Sequence, residues 1–179
     1  MVAVIFPDWS GQLFFCDHDP RPPAARELHV RPVAYRVARR FVEMHHYLGY
    51  APLGAKISLG VYYREHLVGV MMFTHPCARL EDQEHTLELS RMVLLDHCPR
   101  NSESRALGLA ARWVKRNMPE IRRMVAYADP AQGHRGTIYR AAGWRFLGPT
   151  EGRPWSHSRR VRRDAAVGRK LKFELILHP

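Results

Sequence analysis

Apolar residues recur along this chain with two spacings, one near every second position and one near every third or fourth. The helical spacing is clearest after Pro32. There Ala34, Val37, Ala38, Phe41, His45 and Leu48 share one stripe while Arg36, Arg39, Arg40 and Glu43 face away. Proline suits a first helical turn and Gly49 a stop, so a helix is predicted over residues 32–48. His45 lies inside the stripe and is expected to be a hydrogen-bonded core histidine. His46 lies off it, at the helix end, and is the better functional candidate. A second helix is predicted over 103–117, with Asn101 or Ser102 as its cap. Its core stripe is Leu107, Ala110, Ala111, Val114 and Met118, and Pro119 ends it. A third, short helix spans 134–142 and stops at Gly143, a residue suited to a left-handed C-cap.

Alternation marks the strands. Residues 57–63 and 67–74 are β-rich runs joined through Arg64-Glu65-His66, which reads as a hairpin. Over 86–96, Leu87, Leu89, Arg91, Val93 and Leu95 fall on one face and Glu88, Ser90, Met92 and Leu94 on the other. An arginine among leucines either lies where the apolar face opens onto a polar cleft or pairs with a buried acid. The cleft is favoured, because charge rarely goes inside without a task. Strands are also predicted over 27–31, 124–128, 144–147 and 170–177, the last alternating through Leu171, Phe173, Leu175 and Leu177. Residues 2–6 and 13–15, split by a turn cluster at 7–11, read as a small hairpin or a loosely packed arm. They belong to an N-terminal arm, 1–26, that includes the stiff connector Asp19-Pro-Arg-Pro-Pro23. Residues 148–169 have little periodicity.

The order is therefore strand, helix, three strands, helix, strand, helix, two strands. It predicts an α/β (α+β) fold in one domain over 1–179, a central mixed, mostly antiparallel sheet flanked by helices. Asp129-Pro130 stops the strand at 124–128, since proline has no N–H for a ladder. That places Asp129 and one face of the short helix at the carboxyl edge of the sheet, where open sheets usually hold their ligands.

Composition adds one fact. Apolar residues at 46% and charged residues at 25% are ordinary, but 28 Lys+Arg against 17 Asp+Glu leaves a net charge of +11. Such a balance favours a polyanion, most simply nucleic acid, over a basic surface that only aids solubility. The densest charge is Arg153-Pro-Trp-Ser-His-Ser-Arg-Arg-Val-Arg-Arg163, with five arginines in eleven residues, continued by Arg169, Lys170 and Lys172. Charge runs are often only solvated loops. Here Arg153, Arg159, Arg160, Arg162, Arg163 and Lys170 suit phosphates, and Trp155 suits stacking or wedging, so the 148–169 loop is expected to contact DNA. Cys16, Cys77 and Cys98 are scattered, without structural-zinc spacing, and are expected to be reduced thiols. No apolar run approaches membrane-spanning length, so a soluble, cytoplasmic protein with no membrane partner is expected.

Three positions carry candidate chemistry. The loop before the second helix leads into a helix N-terminus, which suits a pyrophosphate; there Ser104 either hydrogen-bonds a ligand or is a helix-start serine. Asp129 either caps the turn that follows it or accepts a proton from an amine. Tyr139, on the short helix, is either packing or a general acid, and Gly143-Trp144 behind it together with Asp129 ahead favours chemistry.

The stretch Tyr139-Arg-Ala-Ala-Gly-Trp144 resembles the Tyr-x-x-x-Gly-aromatic signature that closes the acyl-CoA site of GCN5-related N-acetyltransferases, the GNAT fold. A narrower pattern resembles the bacteriophage Mom family, whose members modify adenine in phage DNA and are read as divergent GNAT proteins. It consists of His46-Tyr-Leu-Gly49, Leu89-Ser-Arg91, Asn101-Ser-Glu-Ser104, Tyr127-Ala-Asp-Pro130 and Gly133-His-x-Gly-Thr-Ile-Tyr139, within residues 46–147. The resemblance implies a GNAT-like fold with a β-bulge and splayed strands at the acyl-donor cleft, and functional positions at His46, Arg91, Ser104, Asp129 and Tyr139. Tyr139 would protonate a departing thiolate, Asp129 would accept a proton from or orient the exocyclic amine, and Arg91 would hold an anion or polarise the acyl oxygen. It implies acetyl-CoA or a related acyl-CoA, contacted by Val93, Leu94, Arg100, Asn101, Ser102, Ser104 and Arg105. Ordinary GNAT proteins carry Arg/Gln-x-x-Gly-x-Gly/Ala in that loop; this chain has Arg100-Asn-Ser-Glu-Ser-Arg105 instead, without the glycines and with an acid inserted.

An iron role has been suggested for the family, with His46, Tyr47 and Asp129 as its ligands here, although no local His-x-x-x-His spacing supports a metal. The acceptor implied is the N6 amine of adenine in double-stranded DNA, flipped from the helix, with Trp155 filling the gap or stacking on the base. The product implied is an N6-carbamoylmethylated or methylcarbamoylated adenine that hides phage DNA from host nucleases, made in the host cytoplasm. Two rivals stand beside this reading: an acetyl-CoA-dependent N-acetyltransferase acting on a small amine or hypermodified base, and a non-catalytic DNA-binding protein on a GNAT scaffold.

Overall fold

The computed structural model describes the backbone of residues 5–7 and 13–15, and residues 24–151 and 168–178 in full. Seven strands form one sheet in the order β3-β4-β5-β6-β7-β9-β8. They are β3 (Leu28–Pro32), β4 (Ile57–Tyr63), β5 (His66–Thr74), β6 (Thr86–Leu94), β7 (Arg123–Ala128), β8 (Arg145–Pro149) and β9 (Leu171–Ile176). Every neighbouring pair is antiparallel except β6 and β7, so the sheet is mixed, and β9 slots between β7 and β8. The two short apolar runs near the N-terminus, β1 (Ile5–Pro7) and β2 (Leu13–Phe15), pair antiparallel as a hairpin.

Helices cover both faces. On one, α2 (Ser102–Asn117) and α3 (Thr137–Ala141) join the main core, where Leu107, Ala110 and Val114 meet Leu59, Met71, Phe73, Leu87, Met124 and Phe173. On the other, α1 (Tyr35–His45) presses Ala38, Phe41 and Val42 onto Val70 and Met72. α1 packs on β4, β5 and β6. Beyond it, the same face of β7 and β9 is polar. Arg123 there pairs with Glu81 and with Glu174 (3.4 Å), Arg145 also pairs with Glu174, and Lys172 pairs with Glu81. These pairs tie the 75–85 loop to the sheet.

Three expectations are corrected. α1 ends at His45 rather than residue 48, and His45 is exposed, resting on Phe41 with ring centres 4.7 Å apart, rather than a core histidine. A stripe drawn at helical spacing overshoots when the helix stops within it. The 134–142 helix shrinks to α3, because Pro130–Gln132 forms a 3₁₀ turn and both Gly133 and Gly136 take left-handed backbone. Strict alternation along β6 also fails. Met72 pairs with Arg91 and Phe73 with Leu89, so Ser90 is a bulge and the faces exchange after it. Leu87 and Leu89 share the α2 core with Met92 and Leu94, whereas Val93 and Leu95 join the α1 cluster.

Candidate active site

Two strands part where the chemistry was expected. β6 and β7 pair only over Thr86–Leu89 and Arg123–Ala126. Past that point β6 stays with β5 as far as Leu94, and β7 stays with β9 as far as Ala128. The sheet therefore opens at the carboxyl ends of its one parallel pair, next to the Ser90 bulge. Asp129 is the first residue past β7, and the chain leaves β6 for the start of α2 on the same edge.

The end of α1 forms one wall. Its C-cap, His46, is fixed by its own turn: Gly49 N donates to the His46 carbonyl (2.8 Å), and Leu48 N donates to His46 Nδ1 (3.1 Å). With Nδ1 accepting, the neutral ring carries its proton on Nε2. Burial, with Arg91 and His134 nearby, pulls its pKa down to about 4, so the ring is uncharged at neutral pH. His46 stacks on Tyr47 with ring centres 4.4 Å apart and planes 27° apart. Tyr47 in turn meets His134 nearly edge-on at 5.6 Å.

Arg91 faces the same space. The bulge turns it to the α1 side, where Nε donates to the Tyr50 carbonyl (3.2 Å) and a terminal nitrogen donates to the Ser90 carbonyl (2.6 Å). Its guanidinium lies 4.8 Å from the Tyr50 ring centre. Among the described residues it forms no ion pair with a carboxylate.

Asp129 does cap the turn after it. Its Oδ1 accepts from Ala131 N (3.0 Å), while its carbonyl accepts from Gln132 N and His134 N, both at 3.1 Å. The same turn carries His134 back to Tyr47, so the turn that Asp129 caps abuts the end of α1. The Asp129 charge, after burial, raises the Tyr47 phenol above its ordinary value.

Tyr139 approaches from the opposite face and is only 8% exposed, its ring between Trp144 (5.5 Å) and Phe173 (5.1 Å). Trp144 N donates to the Tyr139 carbonyl (2.9 Å), and Gly143 at φ +80° makes that return possible. Gly136 lets α3 sit against Phe173: a Cβ there would lie 2.1 Å from the ring, and φ is +71°. Burial pushes the Tyr139 phenol up to about 12, with Tyr47 adding to the shift. It is a protonated phenol at neutral pH, the state a general acid needs. Tyr47 is thus within electrostatic reach of both Asp129 and Tyr139, which come from opposite sides of the opening.

At the start of α2, Ser104 Oγ donates to the Asn101 carbonyl (3.1 Å) and the buried Ser102 Oγ to the Pro99 carbonyl (2.6 Å), both structural bonds. Arg100, Asn101 and Arg105 are exposed, and Asn101 has φ +69°, a conformation ordinarily left to glycine. Val93 and Leu94, half-buried, lie on the part of β6 that has left β7. Of the basic residues, Lys170 is described; it is exposed, and its N donates to Thr150 Oγ1 (3.0 Å). Arg153, Trp155, Arg159, Arg160, Arg162 and Arg163 lie outside the described residues, as does Cys16.

Sequence reasoning passed over several groups at this opening. His134 sat inside a quoted motif with no role given to it, and Tyr47 was weighed only beside a metal. Tyr127 likewise opened a quoted motif with no role given to it, and Glu88 left no local signal. Glu88, 8% exposed on the α1 face of β6, accepts from Cys77 N (2.8 Å), and burial raises its pKa against the pull of Lys170 and Arg91. Tyr127 shares that face, and burial with Glu88 and Glu81 raises its phenol. A cavity of about 420 Å³ between β3 and α2, lined by His29, Arg112, Trp113 and Arg116 among others, lies apart from all these groups. Among the described residues no group of three or more His, Cys, Asp and Glu could hold a metal ion, and no helix is long and apolar enough to cross a membrane.

Comparison with known proteins bears on the family and the fold. Residues 27–171 match the model of the Mom protein family. Over 135 residues the chain is 31% identical to the protein called methylcarbamoylase mom of Escherichia phage Mu, which covers 71% of this chain and 56% of that relative. The chain therefore spans just over half the length of the curated relative it matches. Among solved structures, AAC(6')-Ib in complex with ribostamycin and coenzyme A superposes with a TM-score of 0.60 at 8% identity, over 84% of this chain and 93% of the other. Spermidine N-acetyltransferase from Vibrio cholerae, with CoA and spermine, does so with a TM-score of 0.59 at 9% identity, over 85% and 96%. At that identity the likeness is one of fold, that of the GNAT acetyltransferases.

Proposed function

The chain belongs to the Mom protein family, and from that premise we propose that it is a transferase modifying the N6 amine of adenine in double-stranded DNA. The observation that carries this reading is the parting of β6 and β7 with Tyr47 in reach of both Asp129 and Tyr139. The exocyclic amine of adenine is a poor nucleophile because its lone pair is delocalised into the ring. Asp129, holding that N–H, accepts the proton as the new bond to nitrogen forms. Tyr139 holds a proton for the group that leaves, and Arg91 faces the oxygen on which negative charge grows.

The donor we propose is an acyl-CoA, acetyl-CoA or a relative, which supplies a thioester-activated carbonyl. The residues present fit such a group. Val93 and Leu94 offer a strand that has left its parallel neighbour, Asn101 supplies the left-handed turn, and Arg100 and Arg105 are exposed cations beside the α2 N-terminus. Ser102 and Ser104 shape that turn through their bonds to Pro99 and Asn101. Iron fits less well, since His46 Nε2 carries the ring proton while Leu48 N occupies Nδ1.

Net charge +11 supports a polyanionic partner, and Arg153, Arg159, Arg160, Arg162, Arg163 and Lys170 are the phosphate contacts proposed, with Trp155 filling the gap in the duplex or stacking on the flipped base. The name of the phage Mu relative points to a methylcarbamoyl group as the one transferred. Acetyl-CoA lacks the nitrogen of that group, so the acyl-CoA that balances the transfer is a methylcarbamoyl thioester. Its carbonyl carbon bonds to N6 as its C–S bond breaks and the thiolate takes a proton. A base altered at that position would be hidden from host restriction. The test is mass spectrometry of nucleosides from plasmid DNA of cells expressing the protein. A methylcarbamoylated adenine is expected. An N-acetylated base would point to a simple acetyltransferase, and unmodified DNA to a non-catalytic DNA-binding protein.

A further inference from the structure

The outer side of α2 carries charge that nothing in the fold neutralises. The helix holds four cations, Arg105, Arg112, Lys115 and Arg116, against one acid, Glu103. All four are exposed, and among the described residues none forms an ion pair. Arg123, Arg145 and Lys172, by contrast, are all paired with Glu81 or Glu174. The helix dipole favours cations in a last turn, which accounts for Lys115 and Arg116 but not for Arg105 and Arg112. Arg105, Arg112 and Arg116 follow one another at intervals of seven and four residues. They therefore share one stripe, in which like charges a turn apart repel.

Beside that stripe lies the cavity between α2 and β3, about 420 Å³ in volume. Arg112, Trp113, Arg116 and Asn117 of α2 meet His29 and Val30 of β3 around it, and among the described residues no carboxylate lines it. Its β3 wall is the outermost strand of the sheet. Trp113 is half-buried against the main core, and Asn117 Nδ2 donates to its carbonyl (2.8 Å). His29 stacks on Tyr62, with ring centres 5.7 Å and planes 19° apart. Two guanidinium groups thus border a preformed hollow with an indole in its wall. Guanidinium forks pair with phosphate oxygens, and an aromatic side chain beside them suits the flat or apolar part of a nucleotide. From Arg105 to Arg116 the stripe runs about 16 Å, the rise of about five base pairs.

We propose that this groove is a second DNA contact, separate from the transfer cleft, in which Arg112 and Arg116 hold backbone phosphates and Trp113 packs against the sugar between them. Arg105 and Lys115 extend the track along α2. This rests on the reading of DNA as the substrate, and it adds a surface outside the 153–163 segment. β3 stands three places from β6 in the sheet, about 14 Å across the strands, so the groove grips the duplex at a distance from the base being modified. No bond is made or broken there.

Two measurements on the purified protein test it. Duplex binding across a salt series should lose about 0.9 from its log–log slope for each phosphate released, so about 1.8 for Arg112→Gln combined with Arg116→Gln. The charge-retaining pair, Arg112→Lys with Arg116→Lys, should keep the wild-type slope. In a proton–nitrogen correlation spectrum the Trp113 indole signal, identified by its absence in Trp113→Phe, should shift when duplex is added to wild type and stay in place in the glutamine pair. An unchanged slope in the glutamine pair would overturn the proposal. So would a fallen slope with no shift at Trp113, which would place the loss in general surface charge. Nucleoside mass spectrometry of DNA from cells expressing wild type keeps the two readings apart. Modified adenine with no response at the groove would sink the groove alone. Unmodified DNA with both responses present would sink the transferase reading and leave the groove standing.

Discussion

At the scale of single residues, the end of α1 holds an imidazole in its neutral form. His46 shows the cost. In the unfolded chain its imidazole titrates near 6.5, and in the fold near 4. Between those values the unfolded chain binds the extra proton, so stability falls as pH drops through that window and the loss is complete near pH 4. Glu88, raised by burial, contributes in the opposite direction, its stabilisation being present at low pH and lost as pH rises through its folded value. The clean measurement is therefore a difference. His46→Asn keeps an acceptor for Leu48 N and removes the titration. Urea denaturation from pH 7 to pH 4 should find the variant gaining on wild type as pH falls. A difference that does not change with pH would mean that His46 is not buried in its neutral form.

Elements set which of these groups meet, and they divide the readable from the unreadable. The strands and helices were legible because each carries its own period: β4 emerges at the residues alternation marks, and α2 starts within a residue of its expected position. The Ser90 bulge was not, since one extra residue in a strand leaves no trace in composition, yet it decides which face Arg91 joins. Asp129 and Tyr139 were legible through motif, whereas the Tyr47–His134 contact spans α1 and the turn after β7 and exists only in three dimensions. His45 misled because a stripe says nothing about where a helix stops.

The close seating of α3 makes a sharp case. Gly136→Ala would need both a left-handed alanine and a shift of Phe173, the ring that also packs on Tyr139. A loss of about 1–3 kcal/mol is expected in a urea melt. Stability equal to wild type would show that the turn into α3 is looser than this packing implies.

At the scale of the whole molecule, a GNAT sheet is joined to a strongly basic chain. The five arginines at 153–163 lie outside the described residues, so their part is tested through charge alone. Replacing Arg159, Arg160, Arg162 and Arg163 with glutamine should flatten the log–log salt dependence of duplex binding by about 0.9 for each phosphate no longer neutralised. An unchanged slope would remove that segment from the interface and move the search for phosphate-binding groups to the rest of the basic surface.

The central claim is that a carboxylate from one side of the parted strands and a phenol from the other serve a single transfer. The most direct measurement is the fraction of adenine modified in DNA of cells expressing Asp129→Asn or Tyr139→Phe, with duplex binding of each purified variant measured alongside. The account predicts that both variants bind DNA as wild type does and leave its adenine unmodified. Modification at the wild-type level in either variant, with the protein folded and bound, would contradict it.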